Sequence, residues 1–210
     1  MRSTHPTAAT PPPITVRQGA WLVGLMAGIS VLLALGGEPV RLALRYERPA
    51  VLAGEYWRLL TGHWVHASSA HLLLNMAGLG LMTLLLARDY SLRQWLVVLL
   101  ASVFAIDAGL VFFQPQLNWY VGLSGVLHGT LAAGAVAWWR HERWPLALML
   151  SVGLAGKLAW EQWHGALPLS GDLPVIVDAH LYGALGGLAA GLGLWRRTHR
   201  SPQDPCRPAA

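Results

Sequence analysis

Four side chains in this sequence are of the types that together carry out acyl transfer. Ser124 stands in the run Gly122-Leu123-Ser124-Gly125, His71 and Asn75 lie four positions apart, and His180 follows Ala179. A serine hydroxyl is a weak nucleophile until a neighbouring base takes its proton, and imidazole is the usual base. Gly122 and Gly125 allow other backbone to approach closely. The start of a helix offers unpaired N–H groups to a developing oxyanion. His71 and Asn75 share one face of a helix and could add side-chain donors to that oxyanion. A Ser–His dyad without a carboxylate makes a coherent site where packing fixes the imidazole. Read alone, however, a Gly-x-Ser-Gly string in an apolar helix serves packing. The chemistry therefore depends on whether the chain brings these groups to one place.

Composition decides the medium in which that happens. The 210 residues are 54% hydrophobic and 12% charged, against about a quarter charged in soluble domains. Apolar segments at 19–36, 71–87, 92–113, 121–139, 144–163 and 179–195 each approach the ~20 residues a helix needs to cross a bilayer. The expected fold is an all-α membrane protein with six transmembrane helices. Residues 1–18 read as a disordered cytoplasmic lead-in, 19–195 as the membrane domain and 196–210 as a basic cytoplasmic tail. The first segment has a second reading. Arg17 ahead of an apolar run, with Ala34-Leu35-Gly36 beyond it, resembles a signal peptide, although the run is long for one. The net charge of +5 comes from arginines scattered between apolar segments rather than gathered in a stripe, which argues against nucleic acid. Cys206 is the single cysteine, so no intrachain disulfide is possible.

Arginine placement sets the expected orientation. Arg2, Arg17, Arg88, Arg93, Arg140, Arg143 and the tail arginines fall in alternate connections, while 114–121 and 164–178 contain none. Both termini are expected to be cytoplasmic. The exception is 37–70, with Arg41, Arg45, Arg48 and Arg58 partly balanced by Glu38, Glu47 and Glu55; it is expected to be external and structured. In this topology His71, Asn75, Ser124 and His180 come from three helices at one depth near the outer surface. Polar side chains at membrane depth face an interior or a water-filled cavity, and common depth is what a shared site requires.

The combination of Trp57-Arg58, His71-x-x-x-Asn75, Gly122-Leu123-Ser124-Gly125 and Ala179-His180-x-x-Gly183-x-x-x-Gly187 resembles the rhomboid family of intramembrane serine proteases. The resemblance implies a six-helix bundle with Ser124 as nucleophile and His180 as general base. It also implies oxyanion support from His71, Asn75 and the Gly122 loop. The longer run from Gly122 to Gly129, with His128 inside it, is similar to the rhombosortase branch. Those enzymes are associated with bacterial exported proteins that end in a Gly-Gly-containing motif, a transmembrane helix and a basic tail. The expected partners are thus transmembrane or C-terminally anchored proteins within the lipid bilayer, in a bacterial inner membrane; oligomeric state is left open.

Other polar residues compete for attention. His128, four residues after Ser124, is the rival base; family resemblance implies instead that it packs against His180, as an aromatic residue commonly does there. His63, His66 and His71 have the spacing H-x2-H-x4-H without cysteine, a poor zinc pattern, so no metal or cofactor is expected. Lys157 and Glu161 can pair on one face of the fifth segment and help to position that helix, while Asp107 has no evident partner. Gly183, Gly187 and Gly191 form a stripe suited to close helix packing. Two alternatives to an enzyme remain: a non-catalytic module that binds transmembrane helices, and a small transporter using Asp107, Lys157 and Glu161. Neither accounts for Ser124, His71, Asn75 and His180 together.

Overall fold

The computed structural model describes residues 16–166 and 175–199. The expected lead-in 1–15, part of the 164–178 connection and the tail 200–210 lie outside the described residues. The element order is α1 (Val16–Leu35), α2 (Gly37–Leu44), β1 (Tyr46–Glu47), α3 (Arg48–Leu52), α4 (Trp57–Thr61), α5 (Ser69–Leu86), α6 (Leu92–Phe113), β2 (Trp119–Tyr120), α7 (Ser124–Arg140), α8 (Trp144–His164) and α9 (Val177–His199). The last helix runs through 196–199, which the sequence reading placed in the tail. Among the described residues six helices are long: α1, α5, α6, α7, α8 and α9.

Among the described residues, two stretches, Ser69–Asp89 and Leu92–Phe113, are long and apolar enough to cross a membrane on composition alone. A third is possible if Trp21–Leu35 and Gly37–Leu44, bent by 116°, count as one span. The later helices α7, α8 and α9 are not among these stretches, and they carry small or polar residues toward the interior. α7 turns glycines, Thr130 and alanines inward, and α8 and α9 carry Lys157, Glu161 and His180 on interior faces. The outside has the opposite character. Leu84, Phe104, Phe112 and Trp163 are at least 74% exposed, an apolar exterior that water would not tolerate over such an area.

α7 is the central element, with twelve of its residues buried. It crosses α9 at backbone contact. A Cβ on Gly183 would collide with the carbonyl of Gly125, and one on Gly187 with the carbonyl of Gly129. Small residues let two helix backbones meet in this way. α6 closes the third side: a Cβ on Gly186 would lie 2.5 Å from the Ala101 carbonyl.

The 37–70 segment is ordered by the arginines that broke the charge pattern. Arg58 is 8% exposed; its Nη1 donates to the carbonyls of Leu42 and Arg45 at 2.8 and 3.0 Å, and its Nε to Glu55 at 2.6 Å. Arg48 Nη1 donates to the carbonyls of Leu110 and Val111 at the end of α6, where helix carbonyls lack partners. Arg41 Nη1 donates to the Ala67 carbonyl. These guanidinium groups act as backbone ties within the folded segment. A two-residue antiparallel ladder, Tyr46 to Tyr120 and Glu47 to Trp119, joins this segment to the approach of α7. Arg58→Ala strands two carbonyls and a carboxylate, and is expected to cost on the order of 3 kcal/mol. Unfolding in detergent, followed by thermal or denaturant midpoint, measures this; an unchanged midpoint contradicts the role.

Candidate active site

Ser124 is the first residue of α7, so the serine sits where helix N–H groups lack intrahelical partners. The turn before it is pinned from two sides. Gly122 N–H donates to the Gly62 carbonyl at 3.0 Å, and Tyr120 hydroxyl donates to the Gly122 carbonyl at 2.7 Å. Gly122 has φ of +113°, in the region that suits glycine. A Cβ there would also lie 2.7 Å from His71 Nε2, so any larger residue displaces His71 as well.

His180 reaches the same point from the first turn of α9. Its Nε2 lies 2.9 Å from Ser124 Oγ, and it is 4% exposed. Gly125 makes this approach possible, since a Cβ on it would lie 2.7 Å from the carbonyl of Ala179, the residue before His180. His71 is oriented by two contacts at the start of α5: its backbone N–H is capped by Ser68 Oγ at 3.1 Å, and its Nδ1 accepts from Ala67 N–H at 3.4 Å. An accepting Nδ1 leaves the ring proton on Nε2, on the side facing Gly122. Asn75 is buried one turn further along; its Nδ2 donates to the His71 carbonyl at 2.9 Å, and its Oδ1 has no partner among the described residues.

His128 lies flat on His180, with ring centroids 4.1 Å apart and planes at 15°. It takes up its own helix carbonyl at Ser124 through Nδ1, at 2.7 Å. Only its rival, His180, contacts the serine hydroxyl. Beside the expected pair of Ser124 and His180 the structure places a carboxylate. Glu161 of α8, 2% exposed, places Oε2 2.9 Å and Oε1 3.1 Å from His180 Nδ1. Lys157 does pair with Glu161, at 2.7 Å, but the pair turns into the site instead of only balancing its own charges. The spacing in sequence showed the pair; its third partner comes from another helix. His128, Glu161 and His180 could hold a metal by residue type and proximity. However, Lys157 Nζ stands among them, 2.5 Å from His128 Nε2 and 3.1 Å from His180 Nδ1, where a cation would bind. Asp107 also gains a partner, His63 Nε2 at 3.2 Å. His66 and His71 meet edge to face at 5.1 Å.

The geometry defines a class: a serine–histidine pair at a helix start, with a second histidine beside the turn before it, built at the crossing of helices in an apolar bundle. The rhomboid domain model matches residues 53–197, more than half the chain, and the chain belongs to the rhomboid family. Over 179 residues it is 27% identical to the Rhomboid protease GlpG of Salmonella paratyphi A and of Salmonella newport, and 28% identical to that of Salmonella choleraesuis. The aligned region covers 80% of this chain and 60% of each relative, so the chain spans about three fifths of those proteins. Family and apolar helices together make it an integral membrane protein.

His66 offers a test of the site's supporting loop. Burial, reinforced by neighbouring His71, pushes its ring from 6.5 down to about 4. The unfolded chain therefore takes up a proton that the folded chain refuses, and stability conferred by the neutral ring is whole above pH 6.5 and falls as the pH drops toward 4. The unfolding midpoint is expected to decline over that window, and less steeply in His66→Gln. Equal declines in both proteins contradict the assignment.

Proposed function

We propose that this protein is an intramembrane serine endopeptidase that cleaves membrane-anchored proteins near the outer face of the membrane. The observation that carries the reading is the 2.9 Å approach of His180 Nε2 to Ser124 Oγ at a helix start, within a chain of the rhomboid family. His180 accepts the Ser124 proton as Oγ bonds to the peptide carbonyl carbon. The carbonyl oxygen becomes an oxyanion, held by His71 Nε2–H and by the free N–H groups at the start of α7, with Asn75 beside them. Collapse breaks the C–N bond, and His180 returns its proton to the departing amine. The same histidine then deprotonates a water, which attacks the acyl-enzyme and releases Ser124. An amine in place of water would give transfer instead of hydrolysis.

Six membrane spans over 19–195, with both ends cytoplasmic in a bacterial inner membrane, are part of this proposal. The alternating arginines support it, and the outer location of Ser124 and His180 follows from that topology. A groove between α5 and α8, lined by Leu84, Leu85, Met149 and Leu150 and reaching His128 and Lys157, supports lateral entry of a substrate helix. The run from Gly122 to Gly129 is the basis for proposing a rhombosortase. Its substrates would be exported proteins ending in a Gly-Gly motif, a transmembrane helix and a basic tail.

Co-expression with such an anchored protein tests both levels. Processing is expected with the wild type and is expected to fall about 10⁴-fold or more in Ser124→Ala and His180→Ala, while His128→Ala keeps measurable cleavage. Mass spectrometry of the new C-terminus separates hydrolysis from transfer. Processing that survives Ser124→Ala removes the protease reading for that substrate, and a dead His128 variant beside an active His180 variant reverses the choice of base.

A further inference from the structure

We propose that Glu161 and Lys157 are positioning residues that set the proton arrangement of the Ser124–His180 pair through a closed ring of hydrogen bonds. The inference rests on the reading of Ser124 as nucleophile and His180 as base. It adds a carboxylate to what the sequence offered as a dyad, and gives the Lys157–Glu161 pair a task beyond helix placement.

Donor and acceptor rules fix each member in turn. The ring starts at a backbone carbonyl, which can only accept. Ser124 O lies 2.7 Å from His128 Nδ1, so that nitrogen carries the proton and His128 Nε2 presents a lone pair. Lys157 Nζ, a donor only, fills that lone pair at 2.5 Å and donates again to Glu161 Oε2 at 2.7 Å. Held by an ammonium, Glu161 is ionised and accepts only, so His180 Nδ1, at 2.9 Å, must donate to it. The remaining His180 nitrogen, Nε2, is then a bare lone pair, 2.9 Å from the Ser124 hydroxyl. The ring closes on the residue where it began. Lys157 Nζ also lies 3.1 Å from His180 Nδ1; two donors cannot share a bond, and the intervening carboxylate offsets their repulsion.

The alternative tautomer of His180 would direct an N–H at the serine and could not take its proton. Glu161 therefore selects the reactive form and steadies the imidazolium when it appears, the role an acidic group plays in Ser–His–acid sites. Lys157 keeps that carboxylate charged and holds His128 flat against His180. Burial points the same way. On α8 the buried residues are Ala147, near its start, and Glu161, in its last turns, while Val152, Trp160 and Trp163 are exposed. The outer part of α8 thus meets the bundle through this polar ring.

The test uses the full-length protein in lipid nanodiscs, with ¹⁵N-labelled histidine and His180 assigned by loss of its signals in His180→Gln. In the wild type His180 is expected to be protonated at Nδ1 and bare at Nε2, and this pattern is expected to be lost or mixed in Glu161→Gln. A His180 protonated at Nε2 in the wild type overturns the proposal. In parallel, the rate of Ser124 labelling by a fluorophosphonate is expected to fall about 10- to 100-fold in Glu161→Gln. Lys157→Met/Glu161→Gln removes both charges, so no uncompensated buried charge is left to unfold the bundle; it is expected to stay as slow as the single variant. Recovery of wild-type labelling in the double variant overturns the proposal, because the pair would then only balance charge. If the wild type resists labelling while its His180 holds the Nδ1–H form, the protease reading fails and the hold of Glu161 on His180 stands.

Discussion

The backbone contact between α7 and α9 is the constraint on which the rest of the molecule depends. Gly125 and Gly129 meet Gly183 and Gly187 so closely that no Cβ fits between the helices at Gly183 or Gly187. Ser124 precedes the first of these glycines and His180 lies three residues before its partner. Main-chain geometry thus brings the backbones of Ser124 and His180 close enough for their side chains to meet at 2.9 Å. A flexible pair of groups would spend most of its time apart. Helices packed at glycines restrict that freedom, and restricting it is how positioning lowers a barrier.

An apolar exterior makes each interior charge a problem to be solved locally. Asp89 sits between Trp138 Nε1 at 2.8 Å and Arg143 at 3.2 Å, tying the end of α5 to α7 and the turn beyond it. Asp107 faces His63. Lys157, Glu161, His128 and His180 satisfy one another. The three clusters join different helices, so the groups that are costly to bury also fasten the bundle together. The first two lie away from Ser124 in sequence and join helices to loops and turns. In the third the pairing borders a hydroxyl that can react.

Much of the architecture was legible in the sequence because apolar periodicity and length report helices well. The segment 92–113 coincides with α6, and 71–87 and 144–163 fall within a few residues of α5 and α8. Ser124 near the start of a helix was legible from its place at the edge of the 121–139 segment. Contacts between helices were not. Ser124 and His180 are 56 positions apart and His63 and Asp107 are 44 apart, and no local pattern joins such residues; shared depth and family resemblance supplied the first pair and nothing supplied the second. Glu161 was hidden for a subtler reason. Its i,i+4 partner Lys157 already accounted for its burial, so the sequence left no unpaired charge to prompt a search for His180. The arginines of 37–70 stood out as an exception to the charge pattern, but their partners were not legible, since a charge count cannot tell a solvated guanidinium from one bonded to backbone carbonyls.

The central claim is that Ser124 is made nucleophilic by His180. It is tested most directly by treating the full-length protein in nanodiscs with a fluorophosphonate and locating the adduct by peptide mass spectrometry. The account predicts one phosphonylated residue, Ser124, with the adduct absent in His180→Ala protein that retains its fold. An adduct on another residue, or undiminished modification of Ser124 without His180, would contradict it.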